Sequence, residues 1–262
     1  DLSLPFFLSL HDDLAYTSGS ISKRRESAMQ SAWREAAACF VISNALGQEY
    51  CRRYGERTFT VVTDGLTSLG SIRALSHPGK LRIYFMGLFH MSYERNLRGL
   101  LQGLAQGGLT ASVTLRCEHI RREVLAGFEN VTVLPFADEA QVQRDLEFAD
   151  LLYMPMPFGV EHQNFARYSL STKMVTYVGS ALPILYHGPR TSAAYDLLEK
   201  NHAAIFLTTL DPAEIAATLA RVDAKQRSAV ARNALALGRR EFMLEKQIQK
   251  FWGTIEERLS KP

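Results

Sequence analysis

Apolar and polar positions along this chain change period several times, and each change predicts an element. An apolar run from Phe6 to Leu10 reads as a buried strand and closes at the polar bend His11-Asp12-Asp13. Ala28, Ala32, Trp33, Ala36, Ala37 and Phe40 then recur at the spacing of one buried helical stripe. Phe40-Val41-Ile42 is a short apolar run, Ser43-Asn44 can cap the helix that follows, and Gly55 stands where that helix should stop. A β run from Thr58 to Val62 ends at Asp64-Gly65. Gly65, Gly70, Pro78 and Gly79, set among Ser and Thr without sustained period, predict a linker and a domain boundary.

Beyond the linker the pattern is regular. Apolar runs at Leu81–Met86, Ala111–Arg116, Val131–Leu134, Leu151–Met154, Pro183–Tyr186 and Ala204–Phe206 alternate with helical or loop segments. Strands that alternate with helices predict a parallel sheet with crossover helices on both faces, a doubly wound α/β fold. Asp211-Pro212 followed by Glu214 is a helix start. Arg239 to Leu259 reads as one long amphipathic helix. Its apolar positions, Phe242, Ile248, Phe251, Trp252, Ile255 and Leu259, predict core packing rather than membrane binding, because its charges mix both signs.

The length of 262 residues, at about 150 per domain, gives one to two domains. A composition 47% apolar and 22% charged excludes disorder and coiled coil. The net charge of +3 is too small and too evenly spread to mark a nucleic-acid surface. Cys39, Cys51 and Cys117 show no CxxC spacing and read as thiols in a reducing compartment, so the expected location is the cytoplasm. No apolar run is long enough to span a membrane. The opening run Leu2–Leu10 reads as a strand cut off from something upstream.

In an open α/β sheet the ligand lies beyond the carboxyl ends of the strands, so the strand-to-helix turns are where chemistry is sought. Gly87-Leu88-Phe89-His90 follows one strand, and a glycine there lets backbone approach a ligand; neither GxGxxG nor GxxxxGK[ST] is present. Ser169, Ser171, Thr172 and Lys173 open a helix, whose free N–H groups and dipole suit a phosphate; a plain capped helix with a solvated lysine is the alternative. His187-Gly188-Pro189-Arg190-Thr191-Ser192 is a second turn of the same kind, with surface residues as its alternative. Met154-Pro155-Met156-Pro157-Phe158-Gly159-Val160-Glu161 is apolar where a loop is usually polar, which suggests a pocket wall or interdomain packing.

Read in order, these turns resemble the nucleotide-binding half of a GT-B glycosyltransferase, closest to the retaining family-4 group. The resemblance rests on Leu81 to Gly87 followed by Arg95-Asn96-Leu97, on Asp150 to Pro155, on Ser171-Thr172-Lys173 through Tyr177 and Pro183, and on His187-Gly188-Pro189. Ser9 to Asp13, Val41 to Asn44 and Val61 to Gly65 are similar to the closing strands of the acceptor domain. It implies the end of an incomplete acceptor-side domain over 1–65, a linker over 66–79, a donor-binding Rossmann-like domain over 80–238, and a C-terminal helix over 239–262 that packs back on the first domain.

It also implies a nucleotide-sugar donor held without metal or cofactor, and a glycan or lipid-linked acceptor in surface polysaccharide or glycolipid assembly. The chain would then sit in the cytoplasm, with peripheral contact at the inner face of the membrane. By the same resemblance His11, Lys173 and Arg95 are the catalytic candidates. Gly87, Phe136, Ser171, Thr172, Lys173, Thr176 and Gly188 are the donor-binding ones. Where many members carry a pair of glutamates, this chain has Tyr168 and Thr176, and a hydroxyl bonds ribose more weakly than a carboxylate. A nucleotide-sugar 2-epimerase of the same fold and a non-catalytic nucleotide-binding or scaffold protein are the other readings.

Overall fold

The computed structural model describes residues 4–14, 22–72, 80–118 and 120–260. Leu2-Ser3 of the opening run and residues 73–79 of the expected linker lie outside these. Two parallel sheets organise the described chain. The smaller has the order β1 (Phe7–Leu10), β2 (Ala38–Val41), β3 (Thr60–Val61), with α1 (Lys23–Glu35) and α2 (Asn44–Tyr54) as its crossovers. The larger begins with β4 (Leu81–Met86), α3 (Glu94–Gln106), β5 (Ala111–Arg116), the short α4 (Arg122–Leu125), β6 (Val131–Leu134) and α5 (Glu139–Glu147). It continues through β7 (Leu151–Pro155), α6 (Gln163–Tyr168), α7 (Thr172–Gly179), β8 (Ile184–His187), α8 (Ala193–Lys200) and β9 (Ala204–Leu207). Then come α9 (Pro212–Ala220), α10 (Ala224–Glu241) and α11 (Leu244–Leu259).

The larger sheet has the order β6-β5-β4-β7-β8-β9, all parallel. Its strands alternate faces residue by residue, and both faces are apolar because both are covered. Ile83, Phe85, Val113, Leu151 and Tyr153 pack with Leu97, Leu100 and Leu104 of α3 and Ile215 and Leu219 of α9. Tyr84, Leu152, Met154, Ile184 and Tyr186 pack on the other side with Met174 and Val178 of α7, Leu198 of α8 and Leu237 of α10. Each fully buried leucine contributes about 2 kcal/mol by removal from water. The doubly wound parallel fold expected from the alternation is the one observed.

Caps set the ends of several helices. Ser43 accepts from Leu46 N and starts α2, which ends at Gly55 with φ +114°. Asp211 accepts from Ala213 N and Glu214 N at the start of α9. Two elements differ from the sequence pattern. The stripe Ala28 to Phe40 is helical only to Glu35; Ala38–Val41 is a strand, because between β1 and β3 its backbone finds ladder partners on both sides. The long helix expected from Arg239 to Leu259 is two, α10 and α11, broken at Phe242-Met243.

The break is where the chain crosses from one sheet to the other beside an earlier crossing. Leu66 N donates to Phe242 O (2.7 Å), Leu244 N donates to Leu66 O (2.9 Å), and Gln247 Oε1 accepts from Thr63 N (3.0 Å). Gly65 leaves room for this seam, since a Cβ there would stand 2.4 Å from the Leu244 Cα. From the seam α11 runs over the smaller sheet, where the Phe251 and Phe40 rings meet at 4.6 Å and Thr254 reaches Thr60.

Candidate functional site

In the order β6-β5-β4-β7-β8-β9, the connections from β4 run outward one way and those from β7 the other, so the topological switch point lies between β4 and β7. Gly87, Cys117, Phe136 and Met156 follow β4, β5, β6 and β7, which puts all four at the carboxyl edge of the sheet.

Gly87 has φ +104°, a left-handed conformation that suits glycine, and turns the chain after β4. Lys173, in the first turn of α7, lies directly over it: a Cβ on Gly87 would be 3.4 Å from Lys173 Nζ. Nζ donates to Leu88 O at 3.1 Å and sits 5.3 Å from the Phe85 ring centroid. Among the described residues no carboxylate pairs with it. Burial of the ammonium pushes its pKa below the ordinary lysine value, with Cys117 acting in the opposite direction. The buried thiol of Cys117 is itself pushed up to about 11 by burial. An anion placed beside Lys173 would supply the missing countercharge.

The start of α7 adds to this. Ser171 is its N-cap residue by backbone, yet its side chain makes no capping bond, and the first N–H groups of a helix have no intrahelical acceptor. Ser171, Thr172 and Lys173 therefore meet with hydroxyl, N–H and ammonium donors next to Gly87. Thr176, one turn on, is exposed and spends its hydroxyl on Thr172 O at 3.4 Å. Phe136 is 47% exposed at the edge of the same sheet end. Arg95, in the first turn of α3, is exposed and forms no hydrogen bond or ion pair with another described residue.

The second turn is different. His187 is fully buried: its Nε2 donates to Thr209 O (2.8 Å), so its Nδ1 accepts from Tyr153 Oη (3.0 Å). Burial lowers its pKa to about 4, which keeps it neutral near pH 7. Ser192 caps α8 through Tyr195 N and bonds Tyr186 Oη. Gly188 gives its N–H to Leu207 O, and a Cβ on it would stand 2.6 Å from Met156 Cβ. Its missing side chain makes room for Met156 and the Tyr186 hydroxyl.

Contacts between distant segments, which the sequence does not record, hold the entry to α7. Ser169 Oγ donates to Asp12 Oδ1 at 2.6 Å and Ser43 Oγ donates to Tyr168 O at 2.5 Å, both from the smaller sheet's loops to the segment just before Ser171. Asp13, buried, pairs with Arg53 (2.8 Å). His11 stands one residue before Asp12, exposed, with a 3.4 Å contact to Ser9 Oγ. Asn96, fully buried, donates to both Met156 O and His187 O (2.8 Å each) and ties the ends of β7 and β8.

No protein-family model and no curated protein sequence matches the chain. Solved structures do match. Anabaena HepE, in complex with UDP and glucose, is 15% identical with a TM-score of 0.68 over 97% of this chain and 72% of its own. The UDP-forming α,α-trehalose-phosphate synthase of Burkholderia vietnamiensis is 14% identical, TM-score 0.69, over 99% of this chain and 70% of that one. Sucrose-phosphate synthase of Thermosynechococcus elongatus is 12% identical, TM-score 0.68, over 100% and 70%. The chain has the GT-B fold. In a GT-B frame, the Gly87–Lys173 pair occupies the carboxyl edge of one sheet and the Asp12 and Ser43 loops come to it from the other. Among the described residues, no helix is long and apolar enough to cross a membrane.

Proposed function

We propose that this chain carries the donor site of a retaining, family-4-like glycosyltransferase, which moves a sugar from a nucleotide-sugar to a glycan or lipid-linked acceptor. The observation that carries the reading is Lys173, a partly buried ammonium without a carboxylate partner among the described residues, set over the open turn at Gly87 and in the first turn of α7. When the bond between the anomeric carbon and the diphosphate oxygen breaks, negative charge grows on the leaving group. A fixed ammonium and helix N–H groups in place beforehand stabilise that charge without reorganising. Gly87 gives the diphosphate room, Ser171 and Thr172 offer hydroxyls, Phe136 offers a face for the base and Thr176 a hydroxyl for ribose. His11 is assigned to the sugar side. Arg95 is assigned to the approach of the donor, as an exposed charge rather than a contact. HepE binds UDP and glucose, which makes uridine nucleotides the first ligands to try.

Calorimetric titration with UDP, GDP, ADP and their sugar conjugates tests this. One nucleotide should bind, and Lys173→Ala should weaken it at least tenfold, about 1.4 kcal/mol. No binding by the folded wild-type chain, or equal binding by the variant, would overturn the donor site. A nucleotide-binding protein without turnover is the second reading, favoured by Tyr168 being buried and Thr176 bonded to its own helix. Sugar transfer gained in Thr176→Glu would count against it.

A further inference from the structure

A crevice of about 820 Å³ lies beside the donor turn rather than in it. One wall comes from the smaller sheet, with Asn44 and Gln48 of α2; the other runs down one face of α8, with Asp196 and Lys200, and Lys250 of α11 closes one side. Its volume is that of a ligand site of about 300–1,000 Å³. These five side chains are exposed, and among the described residues none makes a hydrogen bond or ion pair through its side chain. Asp196 and Lys200 are spaced for an ordinary helix ion pair and do not form one. By contrast, the other charged pair on the lining, Arg240 and Glu241, is bonded at 2.7 Å. The floor is apolar, from Phe59, Leu170, Ala193 and Leu197.

A single uncommitted carboxylate, two amides and two ammoniums around an apolar floor provide acceptors and donors in one crevice. Sugars match that mixture, with hydroxyls that give and take hydrogen bonds and C–H faces that pack on apolar side chains. A purely apolar ligand would leave the polar groups desolvated, and a phosphate-rich one would face Asp196. Leu170 belongs to the floor, and the next residue, Ser171, starts α7, so the crevice opens next to the donor site. We infer that this crevice holds the carbohydrate chain of the acceptor, gripped between Gln48 and Asp196. The inference rests on the transferase reading and names the substrate class on its acceptor side.

The test is a printed glycan array probed with the fluorescently labelled full chain, wild type beside Gln48→Ala/Asp196→Ala. Both positions are exposed, and surface substitutions of this kind leave the fold intact; unfolding midpoints are taken alongside. The expected result is capture of a defined set of glycans by the wild type and at least a fivefold loss in the double variant. A Lys200→Ala/Lys250→Ala chain, altered at other parts of the lining, should lose the same glycans. No capture by the wild type, or capture by either double variant equal to that of the wild type, would overturn the proposal. The nucleotide titration is separate: its failure removes the donor site, whereas glycan capture lost in both double variants would still stand for the crevice.

Discussion

Burial acts on Lys173 and His187 in the same direction and leaves them with opposite uses. Lys173 keeps one carbonyl and one aromatic face as partners, so its charge is available to a ligand. His187 has both ring nitrogens bonded inside the sheet and is neutral, a structural pin between β8 and Thr209. Its lowered pKa has a consequence for stability. Unfolded, the imidazole titrates at its ordinary 6.5; folded, at about 4. Between those values the unfolded chain binds more protons, so the stability present above pH 6.5 falls as pH drops toward 4, by about 3 kcal/mol in all. Urea unfolding at pH 7 and at pH 4.5 measures it. The wild type should lose about 2–3 kcal/mol more than His187→Gln between the two, and equal losses would clear His187 of the effect.

At the scale of elements, the entry to α7 decides how Lys173 is presented. The bond from Ser169 to Asp12 joins residues 157 positions apart and ends two residues short of Ser171. Alanine at both positions, read as a double-mutant cycle, should give a coupling of about 1 kcal/mol. Hydrogen exchange should quicken at the first amides of α7 in Asp12→Ala and return in Asp12→Asn, which keeps an acceptor. Unchanged exchange there would mean that the bond holds the loop and not the helix. This pair also marks where sequence reading stops. The strands of the larger sheet, the caps at Ser43 and Asp211, the glycine turn after β4 and the basic helix start at Lys173 are local signals, visible in period and residue type. The Asp12–Ser169 bond, the seam at Leu66 and the Asp196 crevice are made by distant segments meeting. The helical stripe continues in sequence to Phe40, but Ala38–Val41 pairs as strand, because neighbours on both sides offered ladder partners that no local pattern records. His187 looked like an anion ligand for the same reason: only burial reveals that its nitrogens are taken.

At the scale of the whole molecule, the smaller sheet depends on a helix that follows the whole larger sheet in the chain. Phe40 is fully buried, and part of its cover is the Phe251 ring. Phe251→Ala should cost about 2–3 kcal/mol, the lower end for a large aromatic removed from a contact that is only half buried. Exchange-detected mass spectrometry should place the loosening in β1–β3, with the larger sheet protected as before; loosening spread evenly over both sheets would mean that the two open together. The seam that joins Leu66 to Phe242 and Leu244 gives this dependence a direction in time. As the chain leaves the ribosome, β1 to β3 emerge before the larger sheet and must wait, uncovered along one face, while that whole sheet is made. The larger sheet is contiguous and can close by itself, so strands synthesised ahead of it are completed after it, and these waiting apolar strands are where a chaperone would find this chain.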